Sequence, residues 1–422
     1  MRADAAPGGV MINAMRVAAL LGLLWVLGCS DNSEDSFNSS SGGATSSGGA
    51  TSSGGTSSGG SAAAAGAASG GSPVSGGNSG DAGAPSGDCS AVRAALEARM
   101  AAALDAAAVD TNITDQPNLT LSLESFDGHR FVHSHGDSSL ETAYESASTS
   151  KWVAATVILD LVDQGVLKLS DEPSKWLPFW QAPGVTLAQL LSFTSGFSKE
   201  PLCFNLKAVD FADCVQKAYE ANVAEAPAPG SSFDYSSTHL QIAGLMAVRA
   251  AGADGWATLF QAWQARSGLF PSGAFDLPSL TNPRLAGGMH WTGAEYMGFL
   301  SALAHGALLS DATQSAMLAN QRNGAHVVGS PTLDALNQDW AYGFGNWLEC
   351  PTAIGADTFD CGAGHRNSSP GAYGAYPFID WDHRYFGILA RQGKLGTFRD
   401  GDSLFEVVAE DATRWADACP AP

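Results

Sequence analysis

Three motifs that identify common classes of enzyme are absent from this 422-residue sequence, or lie where they cannot act. The sequence has no Cys-x-x-Cys pair and no His-Glu-x-x-His, so neither a structural zinc knuckle nor the common metalloprotease helix is expected. Its Gly-x-Ser-x-Gly match, at residues 55–59, lies among small polar residues that cannot build the strained strand-to-helix turn of an α/β-hydrolase. Hydrolytic chemistry, if present, must therefore use another arrangement.

Positive charge is scarce as well. The chain has 21 lysines and arginines against 42 aspartates and glutamates, which gives a formal net charge of −21 at pH 7. The field of such a protein repels a phosphate backbone, so we expect no nucleic-acid partner. The hydrophobic fraction of 45% is sufficient for a large core and favours one big globular domain.

The apolar run near the N-terminus, residues 17–27, is too short to span a bilayer of about 30 Å as a helix. It has the length of a signal-peptide core. Residues 26–29, Val-Leu-Gly-Cys, resemble the lipobox of bacterial lipoproteins, in which the cysteine is lipidated. We therefore predict a lipoprotein signal peptide over residues 1–29 and a protein exported to the bacterial cell envelope. We expect Cys29 to anchor it in the outer membrane, facing the periplasm or the exterior; an ordinary signal peptide with an incidental cysteine is the alternative.

Residues 30–88 consist mainly of serine, glycine, alanine and threonine, and residues 42–47 are repeated at 48–53. A stretch with so little bulky apolar material cannot offset the entropy lost on ordering. We predict a flexible tether over residues 30–88, which would let a lipid-anchored domain of residues 89–422 reach away from the membrane.

The number of cysteines agrees with export. Apart from Cys29, six of the 7 cysteines remain, an even number that permits disulfides in an oxidising compartment. Local spacing favours the pairs Cys203–Cys214 and Cys350–Cys361, which leaves Cys89 and Cys419 as the third pair. Other pairings stay open.

The periodicity of apolar residues after Cys89 predicts strands from both ends of the domain and a long helical middle. Asp127-Gly128 between two alternating stretches is a strong hairpin signal, and Gly165 stands where the C-cap of a long apolar helix is expected. This order predicts an α+β fold, in which one antiparallel sheet is flanked by helices and a mainly helical region is inserted between its strands. The predicted helices cover 91–107, 148–162, 186–191, 238–251, 256–265, 294–304, 312–318 and 404–418, and the predicted strands cover 119–126, 130–134, 342–348, 375–380 and 385–390.

A serine and a lysine, Ser148 and Lys151, stand at the start of the long apolar helix. A spacing of three residues places them on one helix face, so the amine can contact the hydroxyl. A serine hydroxyl is a poor nucleophile unless a base takes its proton, and a desolvated lysine can serve in that step. Taken alone, the pair also fits an N-cap serine followed by a surface lysine.

The segments around and beyond this pair resemble, in the same order, those of the serine hydrolase superfamily that contains class C β-lactamases, penicillin-binding proteins and esterases. The ordered set covers most of residues 110–415 and is far more specific than any single motif. The segments that carry the resemblance are 148–169, 171–178, 187–197, 233–237, 282–288 and 342–345.

The resemblance implies a β-lactamase/transpeptidase-like fold and an acyl-enzyme mechanism that needs no cofactor. Ser148 would be acylated, Lys151 would hold it and help to remove its proton, and the Tyr235 phenol would act as general base and proton shuttle. Ser237 would contact the substrate within this relay. The alternatives are a strand-end aromatic with its hydroxyl in water for Tyr235 and a helix-capping serine for Ser237.

The third element of the family is Lys-Thr-Gly or His-x-Gly on an inner strand, and its best counterpart here is Ser369-Pro370-Gly371. Glycine suits a position where substrate lies against the backbone, so Ser369 and Gly371 are predicted to bind substrate. The backbone N–H groups of Ser148 and Ala372 would then form the oxyanion hole.

Ser369 stands where the family usually has a cation that helps to grip a substrate carboxylate. This difference makes an esterase or a D-amino-acid peptidase a better expectation than a true β-lactamase, unless His365 or Arg366 supplies the charge. The expected partners are small ester, amide or peptidoglycan-like substrates; the spacing of residues does not select among them.

Two other functions compete with this interpretation. His133, His135 and Asp137 match a His-x-His-x-Asp zinc signature, although the next residue, Ser138, is not the histidine that usually follows it. A non-catalytic penicillin-binding-like sensor would keep the fold without turnover, and the altered third element is compatible with it.

Overall fold

The computed structural model describes residues 89–352 and 365–418. The predicted signal peptide, the predicted lipidation residue Cys29 and the predicted tether lie outside the described residues, as do Cys361 and Cys419. Within the described ranges, no helix combines the length and the apolar character needed to cross a membrane.

The described residues contain strands at both ends of the domain and helices throughout. The strands, in chain order, are β1 (Leu119–Ser125), β2 (Arg130–His135), β3 (Ala143–Glu145), β4 (Ser232–Asp234), β5 (Ala274–Phe275), β6 (Pro278–Ser279), β7 (Asn282–Pro283), β8 (Met289–Thr292), β9 (His326–Gly329), β10 (Asp339–Tyr342), β11 (Trp347–Thr352), β12 (Arg366–Ser368), β13 (Tyr376–Asp380) and β14 (Tyr385–Ala390). The helices are α1 (Cys89–Ala108), α2 (Ser150–Asp163), α3 (Leu187–Leu191), α4 (Phe211–Asn222), α5 (Thr238–Ala250), α6 (Trp256–Ser267), α7 (Gly293–Ala304), α8 (Asp311–Leu318), α9 (Pro331–Leu336), α10 (Phe398–Glu406) and α11 (Ala409–Asp417).

The main sheet has seven antiparallel strands in the order β10-β11-β12-β13-β14-β1-β2. β14 pairs with β1, with Thr120 opposite Ala390, so both ends of the domain meet in this sheet. The predicted hairpin joins β1 to β2, and its Gly128 has a φ of +86°, which L side chains rarely adopt. The predicted α+β architecture, with helices inserted between the strands of one sheet, is confirmed.

Apolar side chains cover both faces of this sheet. On one face α1, α10 and α11 pack against the strands and bury Met100, Leu404 and Trp415. The larger core lies on the other face and contains most of α2, whose side chains from Trp152 to Leu159 are all buried. A helix buried nearly all round must be apolar nearly all round, which explains the continuous apolar run in the sequence.

The predicted strand over 342–348 is wrong. β10 ends at Tyr342 and β11 begins at Trp347, and the residues between them form a turn closed by a hydrogen bond from the Gly343 N–H to the Asn346 carbonyl (2.9 Å). Gly345 has a φ of +77°, a conformation that a strand does not use.

The predicted C-terminal helix over 404–418 is two helices. α10 already begins at Phe398, and the chain breaks at Val407-Val408 before α11. The break buries Val408 and leaves Val407 exposed, so each short helix turns its own apolar side to the core. α4 was not predicted, although Asp210 caps it by accepting from the Ala212 N–H (2.8 Å).

The predicted disulfide between Cys203 and Cys214 is confirmed, and it ties the 3-10 turn Leu202–Asn205 to α4. The other two predicted pairs each include a cysteine outside the described residues. The turn that this bond holds also carries Asn205.

Candidate active site

The predicted nucleophile lies on a strained turn. Ser148 stands in a 3-10 turn, Ala147–Thr149, and the α-helix begins two residues later than predicted, at Ser150. Ala147 has a φ of +45°, which costs an alanine about 1 to 2 kcal/mol. Thr149 is held from both sides, since its Oγ1 accepts from Trp291 Nε1 and its carbonyl from the Tyr296 hydroxyl, each at 2.8 Å. Packing thus holds the backbone in a conformation that leaves Ser148 accessible between buried neighbours.

Lys151 contacts Ser148 as its spacing predicts. Lys151 Nζ lies 2.9 Å from Ser148 Oγ and 2.8 Å from the carbonyl oxygen of Ala286. Burial lowers the pKa of Lys151 to about 7, an effect that the carboxylate of Glu200 opposes and the charge of Arg284 reinforces. Near neutral pH a large fraction of this amine is therefore unprotonated and able to accept a proton.

Tyr235 reaches the same point from a distant part of the chain. It follows β4, and its N–H donates to the carbonyl of Gly329 at the end of β9 (3.0 Å). Its ring stacks on Trp347 at 5.0 Å, and Lys151 Nζ lies 4.6 Å from the ring centroid. Burial raises the pKa of the Tyr235 phenol, while hydrogen bonding with Ser148 and Trp347 lowers it by less. The structure thus brings Ser148, Lys151 and Tyr235 together.

The segment predicted to hold substrate lies directly after the inner strand β12. Ser369 Oγ donates to the carbonyl of Ser148 (3.0 Å), which joins this segment to the nucleophile turn. A Cβ on Gly371 would lie 2.6 Å from the carbonyl oxygen of Ser146, so only glycine fits there.

The Ala372 N–H is oriented by a tight turn. The Gly374 N–H donates to the carbonyl of Gly371 (2.8 Å), and the Gly396 N–H donates to the carbonyl of Ala372 (2.9 Å). A trans peptide directs its N–H opposite to its C=O, so the first bond fixes the direction of the Ala372 N–H. Gly374, with a φ of +89°, packs against the fully buried Arg391; a Cβ there would lie 2.0 Å from Arg391 Nη1.

Ser237 occupies the N-cap position of α5, but its side chain makes no capping hydrogen bond. Its backbone N–H instead donates to Glu200 Oε1 (2.5 Å). The helix-capping alternative for this hydroxyl is therefore not supported.

His365 and Arg366 do not replace the cation that Ser369 lacks. Arg366 is largely buried on the opposite face of the sheet, where it pairs with Asp380 (3.3 Å) and lies over Phe378. His365 lies at the opposite end of β12 from Ser369. Neither side chain lies beside Ser148.

The three residues of the alternative zinc signature, His133, His135 and Asp137, do not converge. His133 Nε2 and His135 Nδ1 both contact Asp105 Oδ1 of α1, each at 2.8 Å, whereas Asp137 uses its backbone N–H to bind Asn118. In residues 89–352 and 365–418, no group of three or more His, Cys, Asp or Glu side chains is arranged to hold a metal ion. The two histidines instead join β2 to α1.

Three polar residues of the site were given no predicted role from the sequence. Glu200 and Arg284 lie on loops without periodicity; Arg284 belongs to the 282–288 segment that carries the family resemblance, but no role was predicted for it. His239 lies buried in α5; its Nε2 donates to the carbonyl of Asp234 (3.0 Å), so its Nδ1 accepts from the Ser195 hydroxyl (2.8 Å). Burial lowers the pKa of His239 to about 3, which keeps it neutral and makes it a structural link between two segments of the site.

Comparison with known proteins agrees with this architecture. Residues 126–404 match the family model described as Beta-lactamase, so the chain belongs to the β-lactamase family, whose members are serine hydrolases. A search of curated proteins finds no match.

Solved structures share the fold. A protein of Bacteroides dorei DSM 17855 that is provisionally assigned as a β-lactamase is 28% identical, with a TM-score of 0.58 over 70% of this chain and 93% of that one. A D-stereospecific amidohydrolase from Streptomyces sp. is 20% identical, with a TM-score of 0.55 over 74% and 97% of the two chains. EstCE1, a hydrolase with promiscuous acyltransferase activity, is 17% identical, with a TM-score of 0.58 over 74% and 99%.

Proposed function

We propose that this protein hydrolyses ester or amide bonds of small substrates through an acyl-enzyme on Ser148. The observation that carries the proposal is the 2.9 Å contact between Lys151 Nζ and Ser148 Oγ, together with the lowered pKa of that lysine, about 7. A serine next to a neutral amine can lose its proton as it attacks a carbonyl carbon.

The proton transfers follow from the two shifted pKa values. Lys151 takes the proton of Ser148 as Oγ bonds to the acyl carbon, because its pKa is near 7 whereas the Tyr235 phenol keeps its proton at neutral pH. When the tetrahedral intermediate breaks its bond to the leaving group, the Tyr235 phenol protonates that group and then recovers a proton from the Lys151 ammonium. Water attacks the acyl-enzyme, gives a proton to Lys151, and releases the acid as Ser148 regains its hydroxyl proton.

The negative charge of the intermediate would be held by two backbone donors, the N–H groups of Ser148 and Ala372. The fixed Gly371-Ala372 peptide and the strained Ser148 turn support this role, because donors that are already oriented need no reorganisation in the transition state. Loss of one such donor typically reduces kcat by about 10²- to 10³-fold.

Within this chemistry, we favour an esterase or a D-amino-acid amide or peptide hydrolase over a β-lactamase. Ser369 provides no charge next to the nucleophile, and the structures similar to this chain include a D-stereospecific amidohydrolase and a D-amino acid amidase from Ochrobactrum anthropi SV3. We further propose that the enzyme is exported and lipid-anchored through Cys29 in the bacterial cell envelope, on the strength of the sequence motif alone.

A fluorophosphonate probe and a substrate panel test the proposal. The panel contains 4-nitrophenyl hexanoate, a D-amino-acid amide and a chromogenic cephalosporin. Wild type should be labelled by the probe and should hydrolyse the ester or the amide. Ser148→Ala should abolish both activities, and the control Ser139→Ala, at an exposed serine of the β2–β3 loop, should retain them. No labelling and no turnover by wild type would favour a non-catalytic binding protein. Equal turnover by Ser148→Ala would refute Ser148 as the nucleophile.

A further inference from the structure

Arg284 is a charged side chain whose hydrogen-bond partner among the described residues is neutral. It is half-buried; its Nη1 donates to the neutral amide oxygen of Asn205 (3.0 Å), and its Nε is buried with no hydrogen-bond partner among the described residues. Among the described carboxylates, none forms an ion pair with it, although the chain has a net charge of −21. A partly buried guanidinium without a counter-ion is costly, and such groups concentrate where a ligand completes them.

Arg284 lies next to the proposed catalytic groups. Two residues further on, the carbonyl of Ala286 binds Lys151 Nζ (2.8 Å). The charge of Arg284 lowers the pKa of Lys151, and it also acts to lower that of Tyr373, the residue after the proposed oxyanion donor Ala372. The guanidinium therefore lies within electrostatic range of both sides of the site.

The position of this guanidinium is fixed. Asn205 ends the 3-10 turn Leu202–Asn205, which the disulfide Cys203–Cys214 ties to α4. The amide of Asn282 anchors the same turn by donating to the carbonyls of Cys203 (2.8 Å) and Leu206 (2.9 Å). A cation held in this way loses little conformational entropy when it binds an anion, and its planar fork suits a carboxylate.

We propose that Arg284 binds an anionic group of the substrate, so that the preferred acyl donors carry a carboxylate in addition to the bond that is broken. This inference rests on the proposed acyl-enzyme function and specifies its substrate class. The acidic chain as a whole repels anions, so the preference has to come from a local contact rather than from long-range attraction.

The negative charge of Glu200, taken alone, would favour a cationic substrate instead. Its charge raises the pKa of Lys151, and one of its oxygens accepts from the Ser237 N–H. Unlike Arg284, it is exposed, so water already solvates its charge. The half-buried guanidinium gains more from a ligand of opposite charge, which favours an anionic over a cationic substrate.

Esters of matched length and different charge test the inference. Mono-4-nitrophenyl adipate, 4-nitrophenyl hexanoate and 4-nitrophenyl 6-aminohexanoate carry an anionic, a neutral and a cationic acyl chain. In wild type, kcat/KM should be highest for the adipate ester. In Arg284→Gln, the adipate-to-hexanoate ratio should fall by about tenfold to a hundredfold, the usual range for a hydrogen bond to a charged group, and mainly through KM. A second pair, mono-4-nitrophenyl suberate and 4-nitrophenyl octanoate, repeats the comparison of anionic with neutral esters on a longer acyl chain.

Two controls separate a local contact from a general effect. Arg249→Gln removes the same charge from an exposed position in the last turn of α5 and should leave the ratio unchanged. Arg284→Lys keeps the charge without the fork and should retain part of the preference. Loss of Arg284 raises the pKa of Lys151, which is about 7 in wild type. The esters are therefore compared at pH 9, where this lysine is mainly neutral in every variant.

The outcomes distinguish this inference from the proposed function. If wild type is not labelled by the fluorophosphonate probe and hydrolyses none of the esters, the acyl-enzyme proposal fails. If it is labelled but hydrolyses none of the esters, the preference for carboxylate-bearing acyl donors is refuted while the acyl-enzyme proposal stands. If the hexanoate ester is hydrolysed in a Ser148-dependent manner but the ratio is equal in wild type and Arg284→Gln at both chain lengths, only the role of Arg284 is refuted. Preference for the aminohexanoate ester would also refute it and would point to Glu200.

Discussion

The pH dependence of activity should follow the protonation of Lys151. At its ordinary pKa of 10.5 a lysine is neutral in about one molecule in 3,000 at pH 7, whereas at a pKa of about 7 roughly half of the molecules have the neutral amine. Burial of Lys151 thus increases the available base by about a thousandfold. We expect kcat/KM to rise with pH with a midpoint near 7.

Glu200→Gln should move this midpoint to lower pH. The Glu200 carboxylate raises the pKa of Lys151, so its neutralisation lowers that pKa. Because Glu200 is exposed and screened by water, we expect a displacement of about 0.5 to 1 pH unit. At pH 6 such a displacement increases the neutral fraction of Lys151, and hence kcat/KM, by about threefold to fivefold. Glutamine keeps an oxygen that can accept from the Ser237 N–H, so the local structure should survive.

The assay is the pH profile of kcat/KM for 4-nitrophenyl hexanoate between pH 5 and 9 at constant ionic strength. Glu220→Gln, which removes the same charge from the exposed side of α4, should leave the profile in place. Arg284→Gln should move it in the opposite direction, to higher pH, since Arg284 lowers the pKa of Lys151. A midpoint that is unchanged in Glu200→Gln, or that moves upward, would refute the assignment of Lys151 as the proton acceptor.

Three further predictions concern stability and the oxyanion turn. Burial raises the pKa of Asp402 to about 7, so the folded state holds this proton more tightly than the unfolded state, and its contribution to the free energy of unfolding should be lost as pH rises from about 4 to 7. Asp402→Asn should therefore stabilise the protein in urea unfolding at pH 8 but not at pH 3.5, and an equal effect at both would contradict this. Replacing Cys203 and Cys214 by serine should lower the free energy of unfolding by about 3 kcal/mol, from the entropy of a loop with a sequence separation of 11, and a loss below about 1 kcal/mol would argue against that account. Gly374→Ala should lower kcat by about tenfold or more, because its Cβ would strike Arg391 and disturb the peptide that presents the Ala372 N–H, whereas wild-type kcat with a lower Tm would show that the turn only stabilises the fold.

Much of the architecture is a local property of the sequence. Short-range signals predicted the β1–β2 hairpin, an apolar helix that stops before Gly165, and the disulfide between Cys203 and Cys214, and all three are confirmed. The contact between Ser148 and Lys151 also follows from their spacing on one turn. Where local signals conflicted with packing, the predictions were wrong: the apolar stretch over 342–348 reads as one strand, but its glycines form a turn between two.

The properties that would make the site reactive arise only in the folded chain. Residues far apart in sequence meet there: Tyr235 follows β4, Ser369 follows β12, and Glu200 and Arg284 belong to loops without periodicity. The pKa of Lys151 depends on the removal of water by all the segments packed around it and on charges contributed by those loops. Spacing along the chain can bring a hydroxyl next to an amine, but desolvation is a sum over neighbours in space, so the tertiary structure alone determines whether that amine is a base at neutral pH.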